Sequence, residues 1–114
     1  MNMRATAREA GGVLVVDLSG RILLGDDSAY LRKMIRSLLD EGHRRIVLNL
    51  GDVDYIDSSG IGELVSGYSA VRSQGGELKL LNLSRRVRDL LQLTKLYTVF
   101  EIYDDEAAGI ASFK

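Results

Sequence analysis

Two adjacent hydroxyls, Ser58 and Ser59, follow the carboxylate of Asp57 and precede Gly60 and Gly62 in the stretch Asp-Ser-Ser-Gly-Ile-Gly. Such a cluster supports two kinds of chemistry. At a helix start, an Asp or Ser side chain accepts a hydrogen bond from a free first-turn N–H, worth roughly 0.5–2 kcal/mol. A serine with its hydroxyl to spare is also a phosphoryl acceptor, and a phosphate adds about −1.5 to −2 charge to a docking surface. Here Asp57, Ser58 and Ser59 supply three candidate caps where one suffices. Gly60 and Gly62 each weaken the helix being capped by up to ~1 kcal/mol relative to alanine. Capping alone does not select this composition.

Other site chemistries find little support. Ser58 lacks the Gly-x-Ser-x-Gly elbow, and the one histidine, His43, falls in a different loop, which argues against a hydrolase triad. The chain has no cysteine and no second histidine, so no zinc site is expected. No Gly-x-x-x-x-Gly-Lys-Ser/Thr loop is present to cradle a nucleotide. Neither a cofactor nor a metal is expected. Fifteen basic and sixteen acidic residues leave a net charge of −1, which provides no general attraction to nucleic acid or anionic lipid. Apolar residues make up 46% of the chain, with no run approaching the ~20 residues of a membrane span, so no membrane insertion is expected. Met1 to Ala10 lacks the apolar core of a secretory signal, and the expected location is cytoplasmic.

A length of 114 residues suits a single domain spanning 1–114. Gly11-Gly12 between Arg4–Glu9 and the β-prone run Val13–Leu18 predicts an antiparallel hairpin with an edge strand. Tyr30, Leu31, Met34, Ile35, Leu38 and Leu39 share a helical face over 27–40, with Asp26 or Asp27 as cap and Gly42 beyond the end. Arg45 to Leu50 reads as a buried strand, leaving Asp52 and Asp54 in a loop before the motif. A second helix follows, with Ile61, Leu64, Val65, Tyr68 and Val71 inward. Its other side carries Ser58, Gly62, Ser66, Ser69 and Ser73, a stripe of small residues that reads either as a neutral solvated face or as room for close approach by a partner. Leu78 to Leu83 forms the next strand. Ser84 caps a helix with Val87, Leu90, Leu91 and Thr94 inward, and Val99 to Tyr103 precedes a short helix from Asp105. Arg85, Arg86 and Arg88 oppose the dipole of their helix and read chiefly as a solvated face. Alternating strands and helices predict an α/β fold with a mixed, mostly parallel sheet and an antiparallel first strand.

Ile46-Val47-Leu48-Asn49-Leu50 followed by Asp57-Ser58-Ser59-Gly60-Ile61-Gly62 resembles the STAS family, in particular the stand-alone bacterial anti-sigma factor antagonists. The likeness extends through Leu18-Ser19-Gly20, Gly75-Gly76-Glu77-Leu78, Leu91-Gln92-Leu93-Thr94 and Tyr97-Thr98-Val99-Phe100. It implies a single STAS domain whose helices pack largely on one side of the sheet, and a non-catalytic role in partner switching. The unmodified protein would bind an anti-sigma factor that is also a serine kinase, freeing the sigma factor. Phosphorylation at Ser58, the serine directly after the motif aspartate, would end that complex, and a Ser/Thr phosphatase would reset it. Asp57 would cap the helix or position the Ser58 hydroxyl, with Ser59, Gly60, Gly62 and Ser66 contributing to the motif or the partner-facing surface. The resemblance also implies an acidic residue in the turn after the second strand, where Gly20-Arg21-Ile22-Leu23 places Leu23 instead. Leu23 and Leu24 then provide an apolar contact or add to the core. The rival reading is a STAS subunit that scaffolds a signalling assembly or a lipid-transport complex without a sigma factor.

Overall fold

The computed structural model describes residues 1–113. Strands β1 (Met3–Ala10) and β2 (Val13–Ile22) pair antiparallel. Between them Gly11 and Gly12 have φ of 58° and 79°, the left-handed values that a two-residue type I′ turn requires at both positions. The chain continues through α1 (Asp26–Asp40), β3 (Arg45–Ile56), α2 (Ser58–Ser73), β4 (Glu77–Leu81), α3 (Arg85–Leu93), β5 (Ile102–Tyr103) and α4 (Glu106–Ala111). The five strands lie side by side in sequence order, antiparallel only between β1 and β2. Three of the helices, α1, α2 and α3, are therefore the crossovers that parallel neighbours demand.

Strand alternation divides the interior into two layers. Leu14, Val16 and Leu18 of β2, Ile46, Leu48 and Leu50 of β3, and Leu78 and Leu80 of β4 pack against Leu31, Ile35, Ile61, Leu64, Val71, Val87 and Leu91 of α1, α2 and α3. Val13, Val15, Val47 and Leu81 face the other way and meet Ile110 of α4 and Phe113 just after it. The helices thus lie largely on one side, with the short C-terminal helix on the other. On that second face Lys79 is only 3% exposed. Its ammonium donates to the Ser112 hydroxyl at 2.8 Å and lies 4.4 Å from the centre of the Phe113 ring. Glu77 and Glu101 stand 3.5 and 3.4 Å away, which satisfies a charge that would otherwise be costly to bury.

Several elements differ from expectation for identifiable reasons. Strand β3 runs on to Ile56, so Asp52 and Asp54 lie in a strand and not in a loop. Val53 and Ile56 remain buried along this extension, and two register shifts, between Asp17 and Ser19 and between Gly20 and Arg21, let β2 follow it. Strand β5 shrinks to Ile102–Tyr103, paired only with Leu80 and Leu81, because the chain is still in a turn at Val99, whose N–H donates to Leu96 O at 3.0 Å. Strand β4 stops at Leu81, before Asn82 turns to a φ of 56°. Neither Asp26 nor Asp27 caps α1. Gly25 occupies the cap position, and Asp27 is buried and bonded elsewhere. Thr94 is the exposed C-cap of α3 rather than an inward residue, its hydroxyl donating to Leu90 O at 2.9 Å. Val65 and Tyr68 are half-buried beside the core, and Gly67 is packed beneath Ile35.

Candidate modification and docking site

The long strand β3 ends at Ile56, and the next residue starts a helix. Asp57 has extended backbone and its Oδ1 accepts from Gly60 N at 3.0 Å, the N-cap bond of α2. The same oxygen accepts from the Ser59 hydroxyl at 2.6 Å. Oδ2 turns the other way and accepts from Leu24 N, 2.8 Å away in the turn between β2 and α1. One carboxylate therefore starts the helix and fixes the neighbouring turn. Burial pushes the Asp57 carboxyl up, but the Ser59 hydroxyl and the Gly60 and Leu24 amides outweigh it and hold it below the usual carboxylate range.

A second carboxylate holds the turn from below. Asp27, 2% exposed, accepts from Leu23 N at 3.1 Å and from the backbone and side chain of Asn2 at 2.8 and 3.3 Å. Burial again opposes ionisation and these N–H donors overcome it, so Asp27 also lies below its ordinary pKa. Ser28 N closes the turn by donating to Leu23 O at 3.2 Å. The result presents Leu23 half-buried and Leu24 78% exposed. The leucine that stands out from the molecule is thus the residue after the one implied by the sequence pattern.

The two serines have different environments. Ser59 is half-buried and its hydroxyl is committed to Asp57. Ser58 is exposed at the first position of α2, and its hydroxyl makes no hydrogen bond among the described residues. The glycines differ too. A Cβ on Gly60 would lie 2.5 Å from Ile56 Cγ1 and 2.9 Å from Ile22 Cγ2, so this glycine lets α2 settle onto the strand ends and does not reach the surface. A Cβ on Gly62 would meet nothing within 4 Å. The fold needs no glycine there.

Asp57, Ser58, Ser59, Gly60 and Gly62 come together with the Leu23–Leu24 turn at one end of the sheet. Ser66 stands two helical turns along α2, ~12 Å from Ser58 at 1.5 Å per residue. It is exposed and lines a shallow groove between α1 and α2 with Arg32, Arg36 and Glu63. Ser69 and Ser73 are also exposed on α2. Asp52 and Asp54 are exposed on β3 without ion pairs among the described residues. Arg88 belongs to the fold: it bonds Tyr97 Oη at 2.7 Å and Asp104 at 2.9 Å, leaving Arg85 and Arg86 as the solvated cations of α3. His43, half-buried, lies 3.7 Å from Glu41. Among the described residues no cluster of metal-ligating side chains occurs, and no helix is long and apolar enough to cross a membrane.

Sequence reasoning missed the carboxylate pair beneath the turn, because Asp27 and Asp57 meet partners 25 and 33 positions away. The doubled Asp26-Asp27 is the available signal, and its place at a helix start points to capping instead. Also missed was the polar network on the second sheet face. There Arg8 binds Asp17 and Glu106, and Asn49 donates to Asp17 at 2.8 Å.

Comparison with known proteins agrees along the chain. The family model described as STAS domain matches residues 4–109. The anti-sigma F factor antagonist of Paenibacillus polymyxa is 29% identical over 119 residues, covering 100% of this chain and 97% of the relative. The anti-sigma-B factor antagonist of Bacillus subtilis is 31% identical over 110 residues, covering 96% and 99%. Among solved structures, an anti-sigma factor antagonist from Mycobacterium paratuberculosis shares the fold with a TM-score of 0.85 at 20% identity, over 96% of this chain and 92% of that one.

Proposed function

The chain belongs to the STAS domain family, and we propose that all of it, residues 1–114, works as an anti-sigma factor antagonist that switches partners through phosphorylation of Ser58. In its unmodified form it binds an anti-sigma factor that is also a serine kinase, and the sigma factor goes free. The kinase then phosphorylates Ser58 and the complex ends, until a Ser/Thr phosphatase restores the hydroxyl. The protein is the ligand and the substrate, and the chemistry belongs to its partners. The setting is the cytoplasm, where sigma factors act.

The observation that carries this reading is the asymmetry between the two hydroxyls. Phosphorylating Ser59 would remove the proton it donates to Asp57 Oδ1 at 2.6 Å and set a dianion against that half-buried carboxylate. Ser58 Oγ is exposed and uncommitted, so a phosphate there leaves the cap, the turn and the helix intact. The positive end of the α2 dipole also favours an anion. The effect of the phosphate therefore falls on the partner, since charge brought into a close, partly desolvated contact weakens it unless a cation receives it. Exposed Gly62, Ser66, Ser69 and Ser73 extend the low-profile surface beside it. Support comes also from the two relatives, each named as an antagonist of an anti-sigma factor.

Affinity capture from the source cell with Ser58→Ala and Ser58→Asp baits, followed by mass spectrometry, tests the reading. A serine kinase that also binds a sigma factor should be retained by Ser58→Ala and lost from Ser58→Asp. Peptide mapping of the parent incubated with that kinase and ATP should place phosphate on Ser58. Phosphate mainly on Ser59, or a transporter ATPase retained equally by both baits, would replace this reading with the scaffolding one.

A further inference from the structure

We propose that Leu24 is a specificity-determining anchor for the kinase that modifies Ser58, its side chain entering an apolar pocket on that enzyme. This rests on Ser58 being the phosphoacceptor.

Among the described residues, Met1, Leu24 and Leu93 are the large hydrophobic side chains left substantially exposed. An isolated surface leucine usually needs no explanation. Leu24 differs from Leu93 in what holds it and what it adjoins. Its own amide is bonded to Asp57 Oδ2 at 2.8 Å, and the preceding amide to the buried Asp27 at 3.1 Å. Ser28 N closes the same turn onto Leu23 O. Three hydrogen bonds, two of them to carboxylates, thus fix the backbone that presents a 78% exposed leucine. An exposed apolar side chain on such a fixed turn loses little backbone freedom when it is covered, which is the economy of a preorganised anchor. Leu93, 81% exposed, lies instead in the last turn of α3.

The occupant follows from adjacency. Asp57 joins the two elements directly, capping the helix on which Ser58 is the first residue and binding Leu24 N with its other oxygen. An enzyme that brings a γ-phosphate in line with Ser58 Oγ must cover the surface around Asp57, and Leu24 projects from that surface. The low relief of Gly62 and Ser66 offers no comparable feature on the α2 side. An acidic residue in this turn would call for a cation on the kinase. A leucine calls for an apolar recess, so partner choice changes with this one position.

The test uses the full chain and the kinase retained by the Ser58→Ala bait. Initial rates of phosphate incorporation at Ser58 should show Leu24→Asp at least tenfold lower in kcat/KM, carried mainly by KM. Leu24→Met should stay within threefold of the parent, and Leu93→Asp should be unchanged. Melting temperatures of all three should match the parent, since both leucines are exposed. If the added charge near Asp57 lowers the melting temperature of Leu24→Asp, Leu24→Asn supplies the same polarity without charge and should show the same KM effect. Rates for the Leu24 variants equal to the parent would overturn the anchor while leaving Ser58 as acceptor. Equal losses in Leu24→Asp and Leu93→Asp would also overturn it, because the effect would then be one of general surface charge. Absence of phosphate from Ser58 in the parent would overturn the proposed function and the anchor together.

Discussion

Replacing Asp57 by asparagine separates its two tasks. The carboxylate accepts from Gly60 N and Ser59 Oγ through one oxygen and from Leu24 N through the other. Asparagine keeps a single oxygen and presents an NH2 in place of the second. Oriented to preserve the helix cap, it opposes its NH2 to the Leu24 amide, and the turn loses its bond. A hydrogen bond to a charged group contributes about 1.5–3 kcal/mol, and the exposed setting of the Leu24 bond brings its share toward 1 kcal/mol. Asp57→Asn should therefore cost about 1 kcal/mol. Asp57→Ala removes the cap as well, adding roughly 0.5–2 kcal/mol, for a total of about 1.5–3 kcal/mol. Urea unfolding measures both, and native-state amide exchange by NMR assigns the loss to its site. In Asp57→Asn the Leu24 amide should exchange faster while Gly60 keeps its protection. If Leu24 stays as protected as in the parent, or if Asn and Ala cost the same, the carboxylate does not bridge helix and turn as described.

The remaining expectations concern the same end of the molecule. Gly62→Ala should stabilise the protein by up to ~1 kcal/mol, through helix propensity in open space. Gly60→Ala should be less stable than Gly62→Ala by about 1–3 kcal/mol, because its Cβ would lie 2.5 Å from Ile56 and force the strand ends apart; thermal melting compares the two. Asp17, Asp27, Asp57 and Glu106 all have pKa values held below their ordinary range. The stability they contribute is present above the unfolded carboxylate range near pH ~4 and is lost as pH falls through their folded values. The melting temperature should thus be nearly flat from about pH 7 to 5 and fall below ~4, less steeply in Asp57→Asn. Ser66→Arg should leave the melting temperature within about 2 °C of the parent but weaken kinase binding at least about tenfold by calorimetry; unchanged affinity would show that the partner does not extend along α2.

Much of this site was legible because its signals are local. The Asp-Ser-Ser-Gly string marks a helix start within four residues of chain, and the Gly11-Gly12 pair sets a hairpin whose register runs from Met3 opposite Gly20 to Ala10 opposite Val13. What was not legible depends on distant chain meeting. Gly60 and Gly62 look alike in the sequence, yet one is packed against Ile22 and Ile56 and the other faces open space. Local pattern could not tell that Asp27 would turn inward to Asn2 and Leu23 instead of capping its own helix. The acids at 52 and 54 suggested a loop, whereas pairing with β2, with Val53 and Ile56 buried, kept the backbone extended.

The ammonium of Lys79 gives the far side of the sheet an internal latch for α4. Short helices open easily where little is lost when they lift away. Here lifting α4 away removes Ser112 and Phe113 from a cation whose other neighbours are Glu77, Glu101 and the Tyr103 ring. Water must then enter a site built to exclude it. Local opening of α4 should therefore cost more than its six residues suggest. The helix is latched by a charge on β4, on the face opposite α1, α2 and α3.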